Sequence, residues 1–184
     1  MINQKNTNQS FFISMLSFIP IFVFMVYARI KTIITACDTA WEEPFYIGAL
    51  LAITLTTLQY CYGLILDRLM LGANLFLVIA SFFFLFNISP CMTMLGAYKG
   101  PSFIACVLII GLITTFLTKP GFIGVISTDQ KKIIQASLSL LGCTIAAFLW
   151  SLAFNNYGLF VSAIAPFIAL RLANEQLQKR IRGK

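Results

Sequence analysis

Charged positions cut this chain into long apolar stretches. No Asp, Glu, Lys or Arg falls within residues 6–28, 44–66, 69–98, 100–118 or 133–170. A helix needs about 20 mostly apolar residues to cross the ~30 Å hydrocarbon core of a bilayer. The first four runs hold 23, 23, 30 and 19 residues, enough for one helix each. The fifth holds 38 residues, and a single helix of that length would be roughly 57 Å long. It carries a turn signal at its centre, Asn155-Asn156-Tyr157-Gly158, so it predicts a helical hairpin. The pattern therefore predicts an all-α, polytopic integral membrane helical bundle forming one membrane domain over 1–184. Six transmembrane helices are expected near 11–28, 45–66, 69–88, 102–118, 133–153 and 157–172, followed by a basic tail over 173–184. Five spans, with the last segment lying on the surface, is the competing count.

Composition agrees with the pattern. Of 184 residues, 59% are hydrophobic and 10% charged, against about 45–50% and about 25% in soluble domains. A soluble fold of this size could not bury that apolar surface, and disordered chains are polar. The net charge of +7 reads as an orientation code. With six spans, one side carries Lys5, Arg68, Lys119, Lys131, Lys132, Arg171, Lys179, Arg180, Arg182 and Lys184, and the other only Arg29, Lys31 and Lys99. That bias predicts both termini in the cytoplasm. The first span lacks a small-x-small cleavage site and is longer than a signal-peptide core, so it reads as a retained anchor.

Candidate chemistry is sparse. There is no histidine, and the six acids are Asp38, Glu42, Glu43, Asp67, Asp129 and Glu175. No nucleotide, zinc-protease or hydrolase motif occurs. No catalytic, cofactor-binding or metal-ligating residue is expected, and the chain is read as no enzyme. Asp38, Glu42 and Glu43 are expected to be solvated acids of an external loop. Polar residues inside the spans include Thr54, Thr56, Thr57, Gln59, Asn74 and Asn87. Gln59 and Asn74 read either as interhelical glue or as the lining of a polar path. Ser139, Cys143, Ala147 and Ser151, with Gly142 and Ala146 beside them, form a row of small residues, repeated by Ala165, Ala169 and Ala173. Such rows pack helices closely, within the chain or in a homo-oligomer. Cys61, Cys106 and Cys143 are expected to pack inside spans. Cys37 and Cys91 fall in external loops, where an oxidising outside would permit a disulfide. Pro20 and Pro166 interrupt the first and sixth spans. Tyr27, Trp41, Tyr46, Tyr98, Trp150 and Tyr157 mark interfaces. The tail from Asn174 to Lys184 predicts a helix leaving the membrane, its cations beside anionic headgroups. Topology accounts for it without a nucleic acid.

Two stretches resemble a known family. Phe18-Ile19-Pro20-Ile21-Phe22-Val23-Phe24-Met25-Val26-Tyr27 is one. The other runs from Leu66-Asp67-Arg68 to Tyr98-Lys99-Gly100-Pro101-Ser102 and on to Thr118-Lys119-Pro120. Over roughly residues 16–125, their order and spacing resemble the intracellular septation protein A family of bacterial inner-membrane proteins. The family's Gly-x-Leu-Thr stretch is replaced here by Ser81-Phe82-Phe83-Phe84-Leu85, and Gly100 separates Lys99 from Pro101. By position, Arg68, Lys99, Pro101, Lys119 and Pro120 carry the likeness. It implies a multi-pass inner-membrane protein acting in envelope maintenance or septation through contacts with other membrane proteins, without catalysis. The alternative is a small-solute permease, or the substrate-binding membrane subunit of a multicomponent importer. Importer subunits of that kind dock through an Ala-x-x-x-Ala pair on the first helix, which residues 11–28 lack.

Overall fold

The structure, a computed structural model, describes residues 3–35, 42–63, 66–125 and 129–182. Every regular element among them is helical. The helices are α1 (Asn3–Thr35), α2 (Glu42–Cys61), α3 (Arg68–Leu85), α4 (Ser89–Ala97), α5 (Lys99–Leu117), α6 (Gln130–Ala153) and α7 (Ala165–Arg182). Four of them, α2, α3, α5 and α6, are long and apolar enough to cross a membrane. The chain forms two compact units, 1–92 and 93–184, and α4 carries it from one to the other.

In the first unit α2 packs against both α1 and α3. The contact faces are lined by small residues: Gly48, Ala49 and Ala52 on α2, and Ala73 and Ala80 on α3, all buried. Gly48 marks the closest approach. A Cβ there would stand 3.2 Å from Phe24 Cβ and 3.3 Å from Leu77 Cδ1. Above this point the ring of Phe45 meets Phe24, Phe76 and Phe84, with centroids 4.6, 5.9 and 5.4 Å away. Small residues bring the backbones together and aromatics fill the space where they part. Pro20 is fully buried within α1. Glu42 and Glu43 lie in the first turn of α2 rather than in a loop, where the helix dipole favours acids.

Asp67 starts α3, accepting hydrogen bonds from the N–H groups of Leu69 and Met70, as an N-cap should. The helix stops earlier than expected. Asn87 has a left-handed φ of 51°. Ile88 N–H donates to Phe83 O at 3.0 Å and Asn87 N–H to Phe84 O at 3.2 Å. These two bonds make a Schellman ending. Asn87 is thus a helix terminator and not a polar residue inside a span. The stretch read as an external loop after it is helical, because Ser89–Ala97 forms α4, which has no buried residue.

The second unit is built from α5, α6 and α7. The expected turn is present: Asn155–Tyr157 form one 3-10 turn, and Gly158 follows at φ 87°. Asn155 Nδ2 donates to Ala97 O at 2.7 Å and anchors the turn. From Leu159 the chain is helical to Arg182. Its first part, Phe160–Ile164, is a widened π-turn, so the final helix runs well beyond residue 172. The small-residue row on α6 divides. Ala147 and Ser151 are buried, whereas Ser139, Gly142, Cys143 and Ala146 are exposed. Ala165, Ala169 and Ala173 are not the packing face of α7, which is Phe167, Leu170 and Asn174. Of the three cysteines expected to pack inside spans, only Cys106 is buried, while Cys61 and Cys143 are exposed. Cys91 is a free thiol on α4, and Cys37 lies outside the described residues.

Gly48→Leu should force Phe24 and Leu77 apart, at about 1–3 kcal/mol as for other overpacked cores. Thermal unfolding in detergent checks it, with Gly96→Leu, where a Cβ meets nothing within 4 Å, as the silent comparison.

Candidate functional site

The residues singled out from sequence are divided between the two units. Arg68 opens α3 in the first unit, with its Nε buried and unpartnered. Lys99 and Pro101 open α5 in the second unit, and Lys119 and Pro120 follow its end. The 19 residues of α5 put these two pairs about 28 Å apart.

The two polar residues of the first unit are engaged differently. Gln59 is 2% exposed and makes a reciprocal contact with the buried Ser17: Ser17 Oγ to Gln59 Oε1 is 3.2 Å, and Gln59 Nε2 to Ser17 Oγ is 3.0 Å. This joins α1 to α2, as glue would. Asn74 is buried on α3 and its Oδ1 has no hydrogen-bond partner. At the other end of this unit Glu43 takes Lys31 at 2.6 Å and the Tyr27 hydroxyl at 3.0 Å. Glu43 is therefore a tie between α1 and α2, while its side chain stays 59% exposed, as a solvated acid would be.

The start of α5 is a close contact. A Cβ on Gly100 would run into Ser162 Oγ and come within 3.1 Å of Ser151 Oγ. The glycine that breaks the Lys-Pro step therefore lets α5 touch both α6 and the π-turn. Ser162 Oγ donates to Gly158 O at 2.9 Å, and Trp150 Nε1 donates to Val161 O at 3.2 Å. Ser151 Oγ is buried without a partner.

The most elaborated arrangement lies at the other end of α5. The segment Thr118–Val125 turns inward: Phe122, Ile123 and Val125 are 0%, 1% and 3% exposed. Two left-handed glycines shape it, Gly121 at φ 60° and Gly124 at φ 68°. Gly111 on α5 leaves the space for the Phe122 ring, whose Cε1 would be 2.7 Å from a Cβ there. Three side chains hold the backbone. Phe122 N–H donates to the buried Ser137 Oγ at 3.0 Å, Gln130 Nε2 donates to Lys119 O at 2.9 Å, and Gln178 Nε2 donates to Ile123 O at 2.8 Å. The loop thus ties the end of α5 to α6 and α7. Asp129 caps α6 through Lys132 N–H at 3.3 Å and pairs with Lys132 Nζ at 2.8 Å. The Lys132 ammonium and amide hold its carboxyl below the usual 3.8. Lys119, Lys131, Lys179 and Arg180 are exposed around this loop.

Sequence reasoning had marked Lys119 and Pro120 but not Gly121, Phe122, Ile123, Gln130, Ser137 or Gln178. A signal was present: Gly-Phe-Ile-Gly-Val is an apolar run bracketed by glycines in a segment flanked by charge. No protein-family model, curated protein or solved structure matches this chain.

Ser137→Ala would strand the buried Phe122 N–H at a cost of about 1–3 kcal/mol. The expected result is faster amide exchange at residues 121–125, with Ser139→Ala, at an exposed position, as the unaffected comparison. The depressed Asp129 carboxyl gives a second expectation. A carboxyl lowered on folding stabilises fully above its unfolded value and loses that contribution as pH falls through the folded one. Amide protection in the first turn of α6 should hold from neutrality to about pH 4 and fade below it, and in Asp129→Asn this fading should disappear.

Proposed function

We propose that this chain is a non-enzymatic, multi-pass protein of the bacterial inner membrane that serves envelope maintenance or septation by contacting other membrane proteins. The observation that carries this reading is the open face of α6. Ser139, Gly142, Cys143 and Ala146 are exposed on a helix apolar and long enough to span a bilayer. A Cβ on Gly142 would meet nothing within 4 Å. Small residues at four-residue spacing let a second helix backbone approach closely, and among the described residues these four stay exposed. The likeness of residues 16–125 to the septation family gives the contact its expected setting.

In this reading α1 and the helix running from Leu159 join the four apolar helices to make six spans, with both termini cytoplasmic. The polar groups argue for a contact protein over a permease. Gln59 is engaged with Ser17, and the hydroxyls of Thr114, Thr115 and Thr144 donate to carbonyls of their own helices at 2.7–2.9 Å. A solute path needs such groups turned toward it.

The test uses the native thiol in the face. Thiol-directed crosslinking in membranes should join Cys143 to division or wall-synthesis proteins, or to a second copy. Gly142→Leu/Ala146→Leu should reduce that product at least about ten-fold, since close approach is lost, while leaving thermal unfolding unchanged. Undiminished crosslinking in the double variant, or no product with any such protein in the wild type, would overturn the reading.

A further inference from the structure

The inward-turned loop of the second unit has a rim of a particular chemistry. Three helix ends meet there: α5 ends at Leu117, α6 starts at Gln130, and Gln178 of α7 holds the loop. Lys119, Lys131, Lys179 and Arg180 project from these three elements and are exposed. Among the described residues of this end, the acid is Asp129, and its charge is taken by Lys132 at 2.8 Å. One turn further along α7, Glu175 lies 3.7 Å from Arg171. Among the described residues, Lys119, Lys131, Lys179 and Arg180 form no ion pair. The loop carbonyls of Lys119 and Ile123 accept from Gln130 and Gln178. The positive end of the α6 dipole points the same way.

Apolar surface adjoins this charge. Phe116 and Leu117 are 71% and 78% exposed on the last turn of α5, immediately before Lys119, and Ile134 is exposed on the second turn of α6. Both α5 and α6 are apolar enough to cross a bilayer, so their ends fall at headgroup depth. Cations directly above exposed aromatic and aliphatic side chains match a molecule with an anionic head and a hydrocarbon tail. A free anion would have no use for Phe116 and Leu117.

We propose that this rim is a binding site for one anionic phospholipid, with its phosphate held by Lys119, Lys131 and Lys179 and its acyl chain lying along Phe116 and Leu117. The Pro-Gly-Phe-Ile-Gly-Val loop joins the three elements that carry these lysines. The site is independent of the α6 contact face, and its failure would leave that reading standing.

The full-length protein in neutral detergent is titrated with phosphatidylglycerol or with phosphatidylcholine, and bound lipid is counted by native mass spectrometry. Saturable binding of one phosphatidylglycerol and weak, non-saturating phosphatidylcholine are expected. Lys119→Gln/Lys131→Gln should weaken phosphatidylglycerol binding roughly ten-fold or more, and Lys179→Gln alone by a few-fold, as about 1 kcal/mol per cation implies. Lys99→Gln, at the opposite end of α5, removes one charge away from the rim and should change binding less than about two-fold. The proposal is overturned if Lys99→Gln weakens binding as much as Lys179→Gln, which would mean diffuse charge, or if the rim double variant binds like wild type. Displacement of the lipid by millimolar inorganic phosphate would also overturn it, by making this a free-anion site. Circular dichroism of each variant establishes that it is folded.

Discussion

Water is absent from the hydrocarbon core of a bilayer, so a polar group on a spanning helix must find its partner inside the protein. Much of this structure follows from that constraint. Thr114, Thr115, Thr118 and Thr144 turn their hydroxyls back onto carbonyls four residues earlier. Gln59 and Ser17 satisfy each other across two helices. Ser137 spends its oxygen on the backbone of a loop that would otherwise bury a bare N–H. The helix ends obey the same rule: Asp67 and Asp129 supply acceptors to the first amides of α3 and α6, and Asn87 lets α3 close its last carbonyls.

The helices themselves were legible because charge is costly in a membrane and therefore marks where a span stops. Asp67-Arg68 and Asp129 stand at real helix starts, and Asn155-Gly158 at a real turn. What escaped was set by backbone conformation and by tertiary partners. Residues 86–98 carry no charge, so the charge pattern gave no sign of α4 and the stretch read as a loop. Only the left-handed Asn87 separates α4 from α3. The burial of Phe122 depends on Gly111, ten residues earlier on α5, and on Ser137, so no local window reveals it. The small-residue row on α6 was visible as a row. Which of its members face inward is settled by the rotation of about 100° between Ala146 and Ala147 and by what lies opposite, which sequence periodicity does not say.

The two ends of α5 answer the resemblance positions differently. At its start, Gly100 serves contact with α6 and the π-turn, and Pro101 is buried beside it. At its end, Pro120 leads into the buried loop while Lys119 stays outside. A lysine close before a proline thus marks a packing joint in one place and a charged rim in the other. Reading both as one motif would have merged two physically unlike sites.

The π-turn at Phe160–Ile164 sets the rotational phase of everything after it. One extra residue is accommodated there within the helical path, and at 3.6 residues per turn its removal would rotate α7 by about 100°. The buried face of Phe167, Leu170 and Asn174 would turn toward the surroundings, and Gln178 would swing away from Ile123. A wide turn near one end of α6 therefore governs whether the loop at the opposite end is clasped at all. The geometry of the basic rim is in this sense decided more than 20 Å away, at 1.5 Å per residue, by the pitch of a single turn.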